Sequence, residues 1–578
     1  MWNFKSLQKP LVALFLLCLF PMGALAQSII RGTVNDEAGE PIIGASVQVQ
    51  GTKTGAITDF QGKFSVEAAS NATLNITYVG YESQQVKVNG QSNLTITLKE
   101  DVTALNDVVV IGYGVQKKSD VTGAVASVKG DDLKNLSTSD AGAALQGKVA
   151  GLNVLTNGAP GEGADIRIRG YSSNGGNISP LYIVDGLQVD NIQYLDPQMI
   201  ESIEILKDAA SAAIYGARAG NGVVLVTTKT GGMSKTSISY TGRFVQQNFT
   251  KRPTMRRDDF LQYMTYQYGA EDVKQKLTDF DYNHPYYDGG VIDQDWIDAY
   301  IEPTWSHQHT LSVSGGNQKG HFLTSLNYVY NNGVVKGNKD VYERLSAQVN
   351  ADYNITNWLQ VGSNNSIEKW KTKSVSQRGY SSSFAQMLQC DPLTPVYWTT
   401  PEEMSLSVKT KYDQVQNGTA NYRIFGDENG WFANSKYSEL EGSPLAKRDA
   451  TDGYNNGFNI RGTLFANLTP VKGLTITSRL GYRLRYNTQH SYSAPFWIGD
   501  RGNQETYSIS ANTGTGWYYQ WENFANYNLT IAQKHNIGAM IGMSYRETNS
   551  DNTNTSSSGA DILILYNDKP HTYHYHQP

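Results

Sequence analysis

Two runs decide how this chain is read: Pro180-Leu-Tyr-Ile-Val-Asp-Gly186, and SIEILKDAASAAIYGARAGNGVVLVTTK from Ser202 to Lys229. Short apolar strands are expected at Leu181–Val184, Ile203–Leu206 and Val223–Val226. An alanine-rich helical patch, Ala209–Tyr215, lies between the last two, and glycines punctuate the whole stretch. Apolar runs of strand length set off by glycine turns define a small mixed α+β domain.

Just upstream, Ile166-Arg-Ile-Arg-Gly170 closes a strand expected over Ala164–Gly170, with Asp165, Arg167 and Arg169 on one face. Such a face is costly inside an apolar core, so it is expected either in a hydrated lumen or on an exposed surface. Ser139-Asp140 is placed to cap a helix over Ala141–Val149. Gly161, Gly163 and Gly170 make no nucleotide loop, because the Lys-Ser/Thr ending of a phosphate loop is absent.

The three motifs together, IRIRG, PLYIVDG and the Ser202–Lys229 run, resemble the plug of the SusC/RagA family of TonB-dependent outer-membrane transporters. On that resemblance the plug motif positions are Arg167, Arg169, Gly170, Asp185, Gly186, Lys207, Asp208, Tyr215 and Gly216. Arg167 and Arg169 are expected to hold the plug against carboxylates of a barrel wall. The resemblance further implies TonB and its inner-membrane energising complex as partners, with a SusD-like surface lipoprotein as a lid. A glycan or peptide would be the substrate and outer-membrane lipid the solvent. No cofactor, metal, nucleic acid or catalysis is implied.

The chain of 578 residues has room for several domains. It is 39% hydrophobic and 17% charged, and no run of eighteen apolar residues occurs beyond the N-terminus. That excludes a helical membrane protein but not a β-barrel, whose alternating strands average out as polar. High Gly 55, Tyr 36 and Trp 10 fit the barrel, and a net charge of −5 opposes a general nucleic-acid binder. The two cysteines, Cys18 and Cys390, cannot form a disulfide framework once the leader is removed.

That leader is residues 1–26: Lys5 and Lys9, an apolar run Leu11–Phe20, then Ala24-Leu25-Ala26 as a cleavage site. Residues 27–100 read as an all-β sandwich, with strands at Ile29–Val34, Ala45–Val49, Gly62–Val66, Thr73–Tyr78, Gln84–Val88 and Leu94–Leu98. The module is similar to the carboxypeptidase-regulatory-like domain that precedes many plugs of this family, and it reads as a spacer without a ligand. Residues 101–118 are a linker containing Asp107-Val108-Val109-Val110-Ile111-Gly112-Tyr113. A β-branched stretch in a polar linker is suited to joining another protein's sheet edge. In the family this position is the TonB box; the alternative is a first plug strand. The plug is expected over 119–232.

From 233 to 578 the pattern becomes amphipathic strands of a partial antiparallel transmembrane β-barrel. In Thr236–Val245, Ile238, Tyr240 and Phe244 oppose Ser237, Ser239, Thr241 and Arg243. In Arg344–Tyr353, Leu345, Val349 and Tyr353 oppose Arg344, Gln348 and Asn350. In Leu474–Tyr486, Arg479, Arg483 and Arg485 share one side. This dyad repeat sets a lipid face against a lumen face. Tight turns at Asn317–Gly320, Asn354–Asn357, Thr469–Gly473 and Ala532–His535 alternate with long loops at roughly 248–308, 369–456 and 487–516. The count is about nine strands, odd and open, ending in Asn536–Arg546. An open edge cannot sit in hydrocarbon, and barrels of large outer-membrane transporters have twenty-two strands. The sequence is therefore expected to be part of a longer protein or a truncated, non-functional product.

Catalytic motifs are absent. Asp279–Asn283 starts like a calcium loop but has His284 where glycine is required, and His571, His574 and His576 read as a frayed tail. Trp296, Tyr300, Trp305, Tyr397, Trp398, Trp431 and Trp517 are left between stacking on substrate and serving as girdle or loop packing. A secreted adhesive β protein and a peptidase accessory chain are the rival readings. The first is opposed by the apolar band of Leu474, Ile476, Leu480, Tyr482 and Leu484, the second by the missing zinc-ligand set.

Overall fold

The computed structural model describes residues 28–559, apart from 37–38, 53, 79–80, 82, 100–107, 112–113, 118–123, 135–137, 157, 175–177, 252, 280–291, 376–381, 405, 436–441, 499–502 and 532–534. The leader, Asp107, Gly112, Tyr113, the calcium-like segment beyond Asp279 and the histidine tail lie outside the described residues. Two compact units divide the chain, one built on the sandwich and the other on the plug with the wall.

The sandwich contains β1 (Ser28–Asn35), β2 (Ser46–Val49), β3 (Gly55–Ile57), β4 (Lys63–Ala68), β5 (Thr73–Thr77), β6 (Gln84–Lys87) and β7 (Asn93–Thr97). One sheet has the order β4-β1-β7 and the other β3-β2-β5-β6. Every second side chain points inward, so Phe64, Val66, Ala68, Leu74, Ile76, Leu94 and Ile96 form the core. Each such buried Val, Leu, Ile or Phe contributes roughly 1.5–3 kcal/mol. β8 (Val108–Ile111) and β9 (Gly114–Lys117) form a two-stranded sheet of their own.

The plug is a five-stranded sheet of β10 (Val125–Lys129), β13 (Leu181–Val184), β14 (Leu187–Val189), β15 (Ile200–Leu206) and β16 (Val223–Thr228). Its order is β10-β15-β16-β13-β14. The pair β11 (Leu152–Leu155) and β12 (Asp165–Ile168) stands beside it. β13 and β16 pair in parallel and are buried on both faces, which is why their sequences are continuous apolar runs. Two expected helices are corrected. Over Ala141–Val149 only a 3-10 turn, Ala143–Leu145, forms, because Gly142, Gly147 and Gly151 favour turns. The α-helix at Ala209 ends at Ala212 and continues as 3-10 turns to Asn221, broken at Gly216 with φ 72.

The wall is a nine-stranded antiparallel sheet of nearest sequence neighbours. It opens with β17 (Ser237–Gln247), β18 (Thr304–Gly316), β19 (Gly320–Asn332), β20 (Val341–Thr356) and β21 (Leu359–Lys373). The following loop carries the short strands β22 (Tyr397–Trp398), β23 (Gly426–Asp427) and β24 (Gly430–Phe432). The wall resumes with β25 (Thr451–Val471) and β26 (Leu474–Ser493), and the pair β27 (Phe496–Trp497) and β28 (Asn503–Gln504) fills the next loop. β29 (Tyr507–Ile531) and β30 (His535–Gly559) complete it. The last strand thus runs well past Arg546, and the loop expected at 487–516 is mostly ladder, since β26 and β29 pair out to Ser493↔Ser508. Backbone hydrogen bonds to a neighbour extend a strand whatever its side chains.

Burial in the wall is inverted relative to a water-soluble sheet. On β20 Arg344 and Asn350 are 1% and 0% exposed, while Leu345, Val349 and Tyr353 are 47%, 43% and 49% exposed. A lipid-facing barrel wall has this pattern.

The long loops are folded. Trp296, Tyr300, Met387, Phe425, Phe432 and Leu445 make one core, and Trp398 with Met404, Val408 and Trp497 a second. Trp296 Nε1 donates to the Asp391 carbonyl at 2.8 Å, and Tyr300 shares a 2.7 Å hydrogen bond with Ser383. Trp296, Tyr300 and Trp398 are therefore loop core, and Tyr397 and Trp431 pack partly against it. Trp305 and Trp517 are wall residues with exposed rings.

Within these loops burial pushes the Asp340 carboxyl up to about 7, although its Oδ1 accepts the Val335 N–H at 3.2 Å. An opened loop would restore the ordinary carboxylate value. Between about pH 4 and 7 the opened form therefore loses a proton that the closed form keeps, and closure weakens as pH rises through 7. Amide exchange at Val335, corrected for intrinsic rate, is expected to speed up from pH 5 to 8 in the parent and to stay flat in Asp340→Asn. Equal pH profiles for the two proteins would refute this.

Candidate functional site

The site is the interface between plug and wall. It starts at the Asp185-Gly186 turn linking β13 to β14. Asp185 sits at φ 48 and Gly186 at φ 83, the left-handed region that a tight two-residue connection requires. The Asp185 carboxylate accepts the Thr228 N–H at 2.9 Å and its hydroxyl at 2.7 Å. Burial raises the Asp185 pKa while the Thr228 bonds and Arg479 oppose that rise. Gly186 is pressed against the wall, where a Cβ would collide with the Arg479 guanidinium. Arg479 pairs with Glu522 at 2.9 Å, and Gln520 Nε2 donates to the Gly186 carbonyl at 2.9 Å. The PLYIVDG turn is thereby bonded by Gln520 of β29 and packed against Arg479 of β26, which Glu522 holds in place.

A second anchor is Arg344 on β20. Its Nη1 donates to the Gln193 carbonyl at 2.5 Å and its Nη2 to the Ser139 carbonyl at 3.3 Å, both in the plug. Beside it, plug Asp196 accepts Thr310 Oγ1 at 2.7 Å and Asn327 Nδ2 at 3.1 Å. A third is Asn350, which donates to Thr228 Oγ1 at 2.7 Å and to the Lys229 carbonyl at 2.8 Å. Arg461 lies 3.8 Å over the Tyr194 ring, and Arg483 pairs with Asp190 at 2.9 Å. Hydrogen bonds involving a charged group contribute about 1.5–3 kcal/mol each where buried.

Among the described residues, neither Arg167 nor Arg169 is paired with a wall carboxylate. Arg167 pairs with its own strand's Asp165 at 2.5 Å and stacks 4.2 Å from Tyr171. Residues two apart on a strand lie on one face within about 7 Å, so the nearest carboxylate is local. Arg169 has left the strand at φ 58, its N–H bonded to the Gly151 carbonyl at 2.8 Å, and Gly170 follows at φ 94. Among the described residues the guanidinium anchors between plug and wall include Arg344 and Arg483 of the wall. The remaining motif residues are internal to the plug. Lys207 Nζ donates to the Ala150 carbonyl at 2.8 Å. Asp208 accepts the Ser211 N–H at 2.8 Å at the start of the short helix, and Tyr215 packs against the Leu181 cluster. Alternation had placed Arg344, Arg479 and Arg483 on the inward face; Asp190, Asp196, Gln520 and Glu522 carried no signal in sequence.

A cavity of about 580 Å³ opens between the plug segment around Asp190–Tyr194 and strands β20, β21, β25, β26, β29 and β30. Among the described residues no group of three or more His, Cys, Asp or Glu is placed to hold a metal ion.

A plug tied by polar bonds to the inward face of an antiparallel, apolar-backed wall defines a TonB-dependent receptor. Residues 117–223 match the TonB-dependent Receptor Plug Domain and residues 30–110 the CarboxypepD_reg-like domain. The chain is 31% identical over 532 residues to TonB-dependent receptor P39 of Formosa agariphila, covering 90% of this chain and 46% of that protein. It is 39% identical over 360 residues to TonB-dependent receptor SusC of Bacteroides thetaiotaomicron, covering 60% of this chain and 34% of SusC. The RagAB peptide importer in its open-open state superposes with TM-score 0.63 at 26% identity, covering 81% of this chain and 52% of that chain. The chain carries a TonB-dependent receptor plug domain, is similar to receptors of the SusC and RagA kind, and spans about half the length, or less, of these relatives.

Proposed function

We propose that this chain is the plug-bearing part of an outer-membrane importer that takes up a glycan or peptide nutrient. The observation carrying this reading is the wall: one face apolar, the other polar and hydrogen-bonded to the plug through Arg344, Asn350 and Gln520. Residues 1–26 would direct export, with cleavage near Ala26. Substrate would enter from the loop side, under a SusD-like lipoprotein, and meet the plug at the Asp190–Tyr194 segment. TonB would take Asp107–Tyr113 as an added strand. In support, Val108–Ile111 is a strand in a two-stranded sheet, outside the plug's five-stranded one. Pulling would then disengage the plug, whose wall contacts are polar and individually modest. RagAB is a peptide importer, which keeps peptide beside glycan as a substrate class. The test is uptake of labelled oligosaccharides and peptides by cells producing the outer-membrane protein that carries this chain, with and without TonB. Uptake that needs TonB supports the reading; equal uptake in both strains refutes it.

A further inference from the structure

The cavity at the plug–wall junction has a composition of its own. Arg461, Arg483 and Arg485 line it, against only two described carboxylates, Glu368 and Asp190. Glu368 pairs with Arg461 at 2.9 Å and Asp190 with Arg483 at 2.9 Å. Both pairings leave donors over: Arg461 Nη1 and Arg483 Nε are buried with no acceptor among the described residues. Arg485 lies opposite Gly516, its guanidinium atoms 3.8 Å from where a Cβ on that glycine would sit, and no described carboxylate pairs with it. Among the described residues the lining thus carries one cation more than it carries anions, and Arg485 is the exposed one of the three.

The rest of the lining is amide, hydroxyl and aromatic. Gln193 comes from the plug, Asn459, Asn487 and Asn552 from the wall, and Tyr194 and Tyr518 supply rings. Among the described residues Leu484 is the one aliphatic lining residue, and it belongs to the outward, lipid-type face of β26 with Leu480. A peptide's apolar side chains would find no aliphatic surface there. A ring of hydroxyls would find amide partners and flat aromatic faces. Guanidinium forks match the planar or tetrahedral oxygens of carboxylate and sulfate groups.

We propose that this cavity binds an acidic oligosaccharide, its carboxylate or sulfate held by Arg485 with Arg461 and Arg483, and its hydroxyls by the surrounding amides. This names a substrate class for the import reading and rests on it. Binding, however, is measured on the isolated protein, where neither TonB nor a proton gradient takes part, so the two stand or fall separately.

The experiment is titration calorimetry on the detergent-extracted outer-membrane protein carrying this chain. The probes are trigalacturonate, a sulfated neocarrabiose, maltotriose and triglutamate. At least one of the two acidic sugars is expected to bind tenfold or more tightly than maltotriose and triglutamate, with affinity falling as salt is raised. Arg485 is an exposed side chain whose loss leaves the Glu368 and Asp190 pairs intact. Arg485→Gln is expected to weaken the acidic sugar about tenfold and to leave the melting temperature unchanged. Arg485→Lys is expected to recover part of the loss. Binding of maltotriose as tight as that of both acidic sugars, tighter binding of triglutamate, no binding of either acidic sugar, or an Arg485→Gln protein that binds like the parent would each overturn the assignment.

Discussion

Val110→Pro is expected to reduce TonB-dependent uptake to the level of a strain without TonB. On the proposed reading β8 would offer TonB its backbone, and proline removes a donor and fixes φ at about −65° in the middle of a four-residue strand, Val108–Ile111. Recognition by strand addition depends on main-chain hydrogen bonds for affinity and on alternate side chains only for register. Val110→Thr, which keeps the β-branch and the N–H, is accordingly expected to import within a factor of a few of the parent. Surface levels of the two variants should match, because the segment belongs to neither the plug sheet nor the wall. Uptake by Val110→Pro at parental rate would remove the basis for placing TonB at this strand.

The second large effect falls on the plug. Gly186→Val is expected to release the plug from its seat while the wall remains folded. Two independent penalties add at this position. The backbone is at φ 83, where a β-branched residue is strained, and the new Cβ would collide with the Arg479 guanidinium. Relieving that clash means moving Arg479 away from Glu522, its 2.9 Å partner, which is itself 2% exposed. Glu522 would keep Arg546 at 3.7 Å but lose its closer cation. Breaking a buried ion pair costs on the order of 3–5 kcal/mol, and the strained φ roughly 1–3 kcal/mol more. The expected readouts are trypsin cleavage within 119–232 under conditions where the parent resists, and increased passage of a large antibiotic such as vancomycin. Combining Gly186→Ala with Arg479→Ala separates the two penalties: the clash disappears, the backbone strain remains, and the double variant should be less damaged than the sum of the singles. A Gly186→Val plug as protease-resistant as the parent would show that this turn does not seat it.

Arg344 illustrates how far alternation carries and where it stops. Its place in a run of alternating polar and apolar residues puts it on the inward face of a barrel strand, and there it lies, 1% exposed. Nothing near it in sequence names its partners, the carbonyls of Ser139 and Gln193 in the plug. The same limit explains Arg167. Its strand was legible, but the competition between a wall carboxylate and Asp165 two residues away is decided by distance in the folded chain. The loop aromatics follow the same rule. Trp296 and Trp398 are the core of a packed cap, and their sequence surroundings, short and irregular, carry no period from which burial is read.

The features legible before folding are therefore local and periodic: the apolar runs of β13 and β16, the dyad of β17, β20 and β26, the sandwich strands, and the glycine at the β13–β14 turn. These follow from covalent geometry, since side chains alternate every residue on a strand and only glycine adopts positive φ without cost. Tertiary packing settles which charged groups face each other, how far β26 and β29 run together, which turns stay 3-10, and where a cavity is left between plug and wall. Those outcomes depend on groups brought together from as far as Gly186 and Gln520, 334 residues apart in the chain. Hydrogen-bonding partners at such separation are chosen by burial and register after the sheets have formed, and no local pattern encodes that choice.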